Sequence, residues 1–178
     1  MLTLASRSPQ RRAILEQLGV EFEVVPADVE ETRRGDPPAT VMENATRKAR
    51  AVNGDHVLGV DTEVVLDGRI YGKAGDESEA ETFLRRLSGR THEVWSGIAL
   101  RRGSDERTAS ACTKVRFRRL EQDDIDWYIG SGEWRDRAGG YAIQGRGAAL
   151  VEEIEGDYWN VVGLPVAELI KLAPDLLH

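Results

Sequence analysis

The chain has 178 residues, 40% of them hydrophobic and 31% charged, which is typical of a globular protein with one sizeable core, in one body or in two lobes. No stretch approaches the roughly 18 consecutive apolar residues of a membrane span, and the first residues lack the pattern of a signal peptide. The net charge of −7 argues against binding to nucleic acid or anionic membranes, and the single cysteine excludes an internal disulfide and fits a reducing cytoplasm.

The N-terminal residues predict a short buried strand, Leu2–Ala5, followed by an amphipathic helix. Ser8 followed by Pro9 is a good N-cap and first-turn pair, and Gly19 is a natural stop. Free backbone N–H groups and the helix dipole favour an anion at such a helix start, and the fork of Arg11 matches phosphate oxygens. We therefore consider this helix start a candidate phosphate site; a merely capped, solvated helix start is the alternative.

A half-exposed strand, Val20–Val25, and an acidic loop over residues 28–32 come next. Carboxylates in such a loop are usually only solvated; the rival interpretation is that one of them coordinates a divalent ion. The following segment, Pro38–Val52, has the apolar spacing of a helix. Lys48 lies next to its apolar face, where it either projects into a cleft or snorkels to the surface.

The most informative stretch is Val57–Lys73, an apolar run, an Asp67-Gly68 turn and a second short run, which predict a β-hairpin. Asp61 stands inside the first run, where a buried strand normally carries an aliphatic residue. An ionised group there is costly unless it is paired, hydrogen-bonded or bound to a metal. Either the strand surfaces at a cleft at Asp61 or the pattern is misread, and Lys73 at the strand end is either an anion contact or surface decoration.

The rest of the chain predicts more helices and strands, and hence an α/β protein with a mixed sheet. Helices are expected at Asp76–Leu87, Glu121–Gly130 and Pro165–Leu172, and strands at Thr91–Arg101, Thr108–Leu120 and Ala148–Ile154. His92 is a candidate base that we expect to be a hydrogen-bonded structural residue, and Cys112 is expected to be a small core residue on its strand. The four glycines of Glu133–Gly147 predict a loop whose backbone passes close to another part of the molecule.

Eight short segments in collinear order make the chain resemble the Maf family of nucleoside triphosphate pyrophosphatases. They are Leu4–Arg11, Arg47–Arg50, Leu58–Thr62, Gly72–Lys73, Leu87–Val94, Ala138–Gly145, Ile154–Asp157 and Val161–Pro165. The resemblance implies an elongated Maf/ITPase-like α/β fold, with flanking helices and a cleft between two lobes, in a single domain over residues 1–178. It also implies a cytoplasmic enzyme that uses Mg²⁺ or Mn²⁺ to release pyrophosphate from a nucleoside triphosphate, and it is compatible with a homodimer.

The resemblance assigns roles by position. Asp61 matches the catalytic acidic residue, and Glu31 and Asp61 are the implied metal ligands. The residues implied to face the substrate phosphates are Ser8, Arg11, Lys48 and Lys73. The same chemistry follows from the residue types, because hydrolysis needs a metal on carboxylates, cations along the triphosphate and an acceptor for the proton of water. Whether Asp61 serves as base, metal ligand or both stays open.

Three further positions are implied to discriminate between substrates: Gln10, Thr62 and Gln144. Thr62 and Gln144 match the branch of the family that acts on dTTP and UTP, whereas Gln10 departs from this branch and from the branch that acts on 7-methyl-GTP. A glutamine such as Gln144 offers both a donor and an acceptor to a pyrimidine edge. The preferred hypothesis is a house-cleaning pyrophosphatase for dTTP or UTP.

Two alternatives stay open. One is a pyrophosphatase for 7-methyl-GTP or of broad specificity, and the other is a regulatory nucleotide-binding protein in cell division and septum formation. In each case the expected partner is a nucleotide, with neither nucleic acid nor a membrane.

Overall fold

The computed structural model describes residues 1–178. It contains seven strands: β1 (Leu2–Ala5), β2 (Phe22–Val24), β3 (His56–Leu66), β4 (Arg69–Tyr71), β5 (Thr91–Arg102), β6 (Asp105–Phe117) and β7 (Val151–Glu155). The helices are α1 (Pro9–Gln17), α2 (Pro37–Ala51), α3 (Glu77–Leu87), α4 (Gln122–Gly130), α5 (Tyr158–Val162) and α6 (Val166–Leu172). Short 3₁₀ turns cover Arg146–Leu150 and Pro174–Leu177. No helix is both long and apolar enough to cross a bilayer.

All seven strands belong to one mixed sheet, in the order β2-β1-β3-β5-β6-β7, with β4 paired to β3 outside this order. Strand β1 runs parallel to both β2 and β3, and every other pair is antiparallel. The sheet is flanked by helices. The predicted α/β fold with a mixed sheet is therefore confirmed.

The two largest apolar clusters divide along strand β3. One contains Leu58 and Val60 and packs with β1, α1 and α6, whereas the other contains Val64 and Leu66 and packs with α3 and α4. The border between them falls at Asp61 and the residues next to it. The two clusters thus leave a polar stretch in the middle of a central strand.

Local signals account for most elements. Ser8 caps α1 by accepting a hydrogen bond from the backbone N–H of Arg11, as expected from the Ser-Pro pair. Asp67 and Gly68 both have positive φ, 51° and 74°, which is the backbone of a tight two-residue hairpin turn. The predicted hairpin is confirmed, with β3 and β4 as its arms.

Several details differ from the expectations. Strands β5 and β6 extend to Arg102 and Asp105, so the turn between them is Gly103-Ser104 and not the six residues from 102 to 107. Charged side chains at these strand ends are tolerated because none of them is fully buried. The expected strand start at Ala148 is wrong, since a 3₁₀ turn precedes β7. Helix α5 was not expected, because five residues are too few to show a helical period.

Cys112 lies on β6 as expected, but its side chain is exposed and not in the core. The alternation of a strand explains the error: Thr113, Val115 and Phe117 are buried, so Cys112 points to the opposite face. His92 is buried, and its Nε2 lies 2.7 Å from the hydroxyl of Tyr141, which confirms a hydrogen-bonded structural histidine.

Candidate active site

Two glycines let helix α2 approach the centre of the sheet. A Cβ added to Gly59 on β3 would lie 2.0 Å from the carbonyl oxygen of Ala45, and one added to Gly97 on β5 would lie 2.3 Å from the backbone of Val41. Only a residue without a side chain fits at these contacts. The close approach brings one face of α2 directly over the polar stretch of β3.

Two side chains of helix α2 contact Asp61, a residue that is only 3% exposed. Asn44 donates from Nδ2 to Oδ2 of Asp61 at 2.8 Å, and Lys48 donates from Nζ to Oδ1 at 2.9 Å. Asn44 and Lys48 are four residues apart and therefore share one helix face. Pairing and hydrogen bonding explain how a carboxylate is accommodated inside an apolar strand.

Lys48 is buried and links two carboxylates. Its Nζ lies 2.6 Å from Oε1 of Glu31 as well as 2.9 Å from Oδ1 of Asp61, and it donates to the carbonyl of Val60 at 3.1 Å. The alternative that Lys48 is a snorkelling surface residue is wrong. The acidic loop contributes Glu31 to the cleft, so its interpretation as purely solvated is wrong for this residue.

A third carboxylate, Glu63, joins the cluster. Carboxylate oxygens of Glu31, Asp61 and Glu63 lie within 4.8 Å of one another. Glu63 is 2% exposed, and burial together with the nearby charge of Asp61 raises its pKa to about 8. Its Oε2 has no hydrogen-bond partner, and the nearest cation is Arg33, whose Nε lies 4.0 Å from Oε1.

This donor set fits a divalent cation, because hard cations such as Mg²⁺ and Mn²⁺ prefer carboxylate oxygens and one buried oxygen here lacks any partner. Sequence reasoning missed Glu63. The available signal was its spacing of two residues from Asp61, which puts both side chains on one face of β3.

Arg11 is held by residues from three separate segments of the chain. It donates from Nε to the carbonyl of Gly163 at 2.8 Å, from Nη1 to Oγ of Ser6 at 3.1 Å and from Nη2 to Oγ1 of Thr62 at 3.1 Å. Burial lowers the pKa of Arg11, an effect opposed by the charge of Asp61. The guanidinium is thus fixed in direction before any ligand binds.

Ser8 and Gln10 lie beside this arginine. The hydroxyl of Ser8 accepts from the backbone N–H of Arg11 at 3.4 Å and donates to Oε1 of Gln10 at 2.7 Å. Free backbone N–H groups and a hydroxyl at the start of α1 make this region suitable for an anion.

The loop Glu133–Gly147 closes over the end of the hairpin. Lys73 forms a β-bridge with Ala138, and the N–H of Gly139 lies 3.0 Å from the carbonyl oxygen of Tyr71. Gly139 has φ of 69°, and a Cβ there would lie 2.8 Å from Val64. The expected close approach of this backbone is confirmed, and it brings the loop to the cleft.

These elements enclose a cleft of about 530 Å³. It is lined by all nine residues that the sequence singled out, namely Ser8, Gln10, Arg11, Glu31, Lys48, Asp61, Thr62, Lys73 and Gln144. They form two bonded groups, one around Lys48 and one around Arg11, while the side chains of Lys73 and Gln144 are exposed and make no hydrogen bond. Further lining residues that the sequence did not single out are Arg33, Glu63, Arg135 and Arg137.

The fold and the cleft define an α/β protein whose central strand presents carboxylates to a site rich in cations, an arrangement suited to a polyphosphate and a divalent metal. The chain belongs to the Maf family: the family model described as Maf-like protein matches residues 1–176.

Relatives and solved structures with similarity to the chain are as follows. It is 49% identical to a dTTP/UTP pyrophosphatase of Symbiobacterium thermophilum, over 96% of this chain and 91% of the relative. It is 47% identical to a dTTP/UTP pyrophosphatase of Pyrococcus furiosus, over 96% of this chain and 93% of the relative. A solved structure of the Staphylococcus aureus Ham1 protein is less similar, with 14% identity and a TM-score of 0.46 over 65% of this chain and 71% of that protein.

Proposed function

We propose that this protein hydrolyses dTTP or UTP to the nucleoside monophosphate and pyrophosphate. The observation that carries the proposal is the pairing of buried Asp61 and Lys48 with Glu31, in a cleft that Arg11 and Lys73 also line. The names of the curated relatives, dTTP/UTP pyrophosphatases at 47–49% identity, support the same activity.

The triphosphate binds along the cationic side chains of the cleft. Arg11 is pre-oriented by its three hydrogen bonds, so little conformational entropy is lost when it meets a phosphate. The side chain of Lys73 is exposed and is free to move toward the phosphates of a bound nucleotide. Arg33 and Arg137, which also line the cleft, add positive charge to it, which favours a leaving pyrophosphate that gains negative charge.

In the reaction, the oxygen of water bonds to the α-phosphorus while the bond from that phosphorus to the bridging oxygen breaks. Pyrophosphate leaves with the electron pair, and Asp61 accepts the proton directly or through a second water. Oδ2 of Asp61 accepts a hydrogen bond from Asn44, and Oδ1 accepts one from Lys48. Each oxygen has a second lone pair that can accept the proton of water. These two bonds also fix the direction of the carboxylate.

We assign Glu31 and Asp61 as ligands of a divalent cation, Mg²⁺ or Mn²⁺, because their oxygens belong to the acidic cluster. Bound there, the cation would offset the negative charge that develops on the phosphate oxygens.

Of the three discriminating positions, Gln144 is the best candidate for reading the base. Its amide offers both a donor and an acceptor, and its exposed side chain has no partner within the protein. The hydroxyl of Thr62 and the amide of Gln10 are already bonded to Arg11 and Ser8. We expect these two residues to support the phosphate-binding residues Arg11 and Ser8 and not to contact the base.

Pyrophosphate release, measured across dTTP, UTP, CTP, ATP, GTP and 7-methyl-GTP with Mg²⁺ or Mn²⁺, tests the proposal. We expect the fastest turnover with dTTP and UTP. Asp61→Asn should lower turnover at least about 100-fold without unfolding the protein. Asp123→Asn, an exposed substitution outside the cleft, should leave both turnover and fold unchanged. Absence of metal-dependent turnover on every nucleotide would refute the function, and a preference for 7-methyl-GTP would assign the other branch.

A single domain over residues 1–178, a homodimer, a cytoplasmic location and the lack of nucleic-acid binding stay predictions. Light scattering coupled to size-exclusion chromatography measures the mass of the particle and so tests the homodimer. A gel-shift assay with duplex and single-stranded DNA tests the prediction, from the net charge of −7, that nucleic acid is not bound.

A further inference from the structure

Glu63 is a buried carboxylate with an oxygen that no protein group contacts. Its side chain is 3% exposed, and Oε2 lacks a hydrogen-bond partner. Buried polar atoms in folded proteins nearly always have a partner, so an unpartnered carboxylate oxygen that lines a cleft points to a ligand.

The one cation within 4.0 Å of the Glu63 carboxylate is Arg33, and this contact is weak. Nε of Arg33 lies 4.0 Å from Oε1 of Glu63, beyond hydrogen-bond distance, and the arginine side chain is 48% exposed. Lys48, the other nearby cation, is bonded to Glu31, Asp61 and a backbone carbonyl. Neither residue therefore satisfies Oε2 of Glu63.

The position of Glu63 suits a metal ion shared with its neighbours. Asp61 and Glu63 lie on one face of β3, Glu31 approaches from the acidic loop, and oxygens of all three lie within 4.8 Å of one another. Opposite ligands of a Mg²⁺ ion are about 4.2 Å apart, twice the bond length of about 2.1 Å. The limit of 4.8 Å on the separation of the three carboxylate oxygens is close to this span.

We propose that Glu63 is a third carboxylate ligand of the divalent cation, together with Glu31 and Asp61. The inference rests on the proposed function of the cleft and deepens it, since it adds a metal ligand to Glu31 and Asp61, the two that the family resemblance implies. Both oxygens of Asp61 already hold protein donors, and one oxygen of Glu31 contacts Lys48. Oε2 of Glu63 is the buried carboxylate oxygen of the cluster that has no protein donor.

Titration of the full-length protein with Mn²⁺ in the absence of nucleotide, followed by electron paramagnetic resonance of the free ion, tests the assignment. Glu63→Gln keeps the shape of the side chain and removes its ability to act as a carboxylate ligand. It should raise the Kd for Mn²⁺ by at least about 10-fold. Glu30→Gln makes the same substitution at an exposed residue next to Glu31, outside the cleft, and should alter the Kd less than about 2-fold.

Arg33→Gln separates this assignment from a purely structural pairing of Glu63 with Arg33. If Glu63 is a ligand, loss of the neighbouring cation leaves Mn²⁺ binding unchanged or tightens it. Circular dichroism verifies that each variant is folded. An unchanged Kd in Glu63→Gln, or no Mn²⁺ binding by the wild type, would overturn the assignment, whereas failure of every nucleotide to release pyrophosphate would overturn the proposed function alone.

Discussion

Arg11 and Thr62 are joined by a hydrogen bond of 3.1 Å from Nη2 of the arginine to Oγ1 of the threonine. The same threonine hydroxyl lies 2.8 Å from Oγ of Ser96, so the contact connects α1, β3 and β5. Thr62, which the family resemblance assigns to substrate discrimination, therefore supports Arg11, which the resemblance assigns to binding the substrate phosphates. We therefore expect Thr62 to act on the substrate through Arg11.

Thr62→Val should accordingly weaken triphosphate binding and leave base preference intact. The substitution keeps the shape of the residue but removes the hydroxyl, which leaves Nη2 of Arg11 without its acceptor. We expect KM for dTTP to rise about tenfold, equivalent to about 1.4 kcal/mol. Thr82→Val, the same change on the exposed face of α3, is the control. A changed ratio of kcat/KM between dTTP and GTP at unchanged KM would contradict this role.

The pairing of Lys48 with Asp61 should be a major contributor to stability. Lys48→Met leaves the buried carboxylate without its cation, and removal of one partner of a buried pair costs about 3–5 kcal/mol. Because Asp61→Asn removes the stranded charge, the double variant should be less destabilised than the sum of the single variants, by at least about 1 kcal/mol. Urea unfolding followed by circular dichroism measures each free energy.

The exposed pair of Arg12 and Glu16 provides the control for this cycle. It has a similar separation, 2.8 Å, but its side chains are 63% and 53% exposed. Its coupling energy should be below about 0.5 kcal/mol. Equal coupling in the two cycles would show that burial does not strengthen the Lys48–Asp61 pair.

Gly59→Ala should damage both the fold and the site. The new Cβ would lie 2.0 Å from the carbonyl oxygen of Ala45, a clash with backbone that no side-chain rotation relieves. We expect a loss of about 3 kcal/mol in the free energy of unfolding, and lower activity because Lys48 moves with α2. Gly130→Ala, at the end of α4 with no atom within 4 Å, should be neutral or stabilising by up to about 1 kcal/mol. Similar melting temperatures for the two variants would contradict the tight packing.

Features encoded by neighbouring residues were predictable from the sequence. The Ser8-Pro9 cap and the Asp67-Gly68 turn each combine a local preference with a local geometry, and both appear as expected. Asp61 was informative because a charge inside an apolar strand has few explanations. The resemblance to the Maf family then joined segments that local patterns could not connect.

The contacts that complete the site depend on packing between distant segments. Asn44 reaches Asp61 because α2 lies against Gly59 and Gly97, and neither glycine signals this contact by itself. Glu63 was not singled out from the sequence, and its burial at 2% exposure depends on the packing of distant segments. In the same way, the exposure of Cys112 depends on which face of β6 is covered.

His92 should make the protein sensitive to acid. Its ring lies edge-on to those of Phe117 and Tyr141, 5.1 Å and 5.5 Å away, and Nδ1 has no partner. Burial lowers its pKa to about 4, whereas an unfolded histidine titrates near 6.5. Between these values the unfolded chain binds a proton that the folded chain does not, so stability is fully present above about pH 6.5 and falls as the pH decreases toward 4.

The free energy of unfolding should therefore drop by about 2–3 kcal/mol between pH 7 and pH 4.5 through this residue alone. His92→Phe keeps a ring between Phe117 and Tyr141 but cannot be protonated, so its decrease over this range should be smaller by that amount. Urea unfolding at several pH values measures both profiles. His178→Gln removes an exposed histidine and should follow the wild type. If the free energy of unfolding of His92→Phe and of the wild type changed equally with pH, His92 would be protonated in the folded protein. Tyr141, which lines the cleft, would then have to accommodate a charged ring.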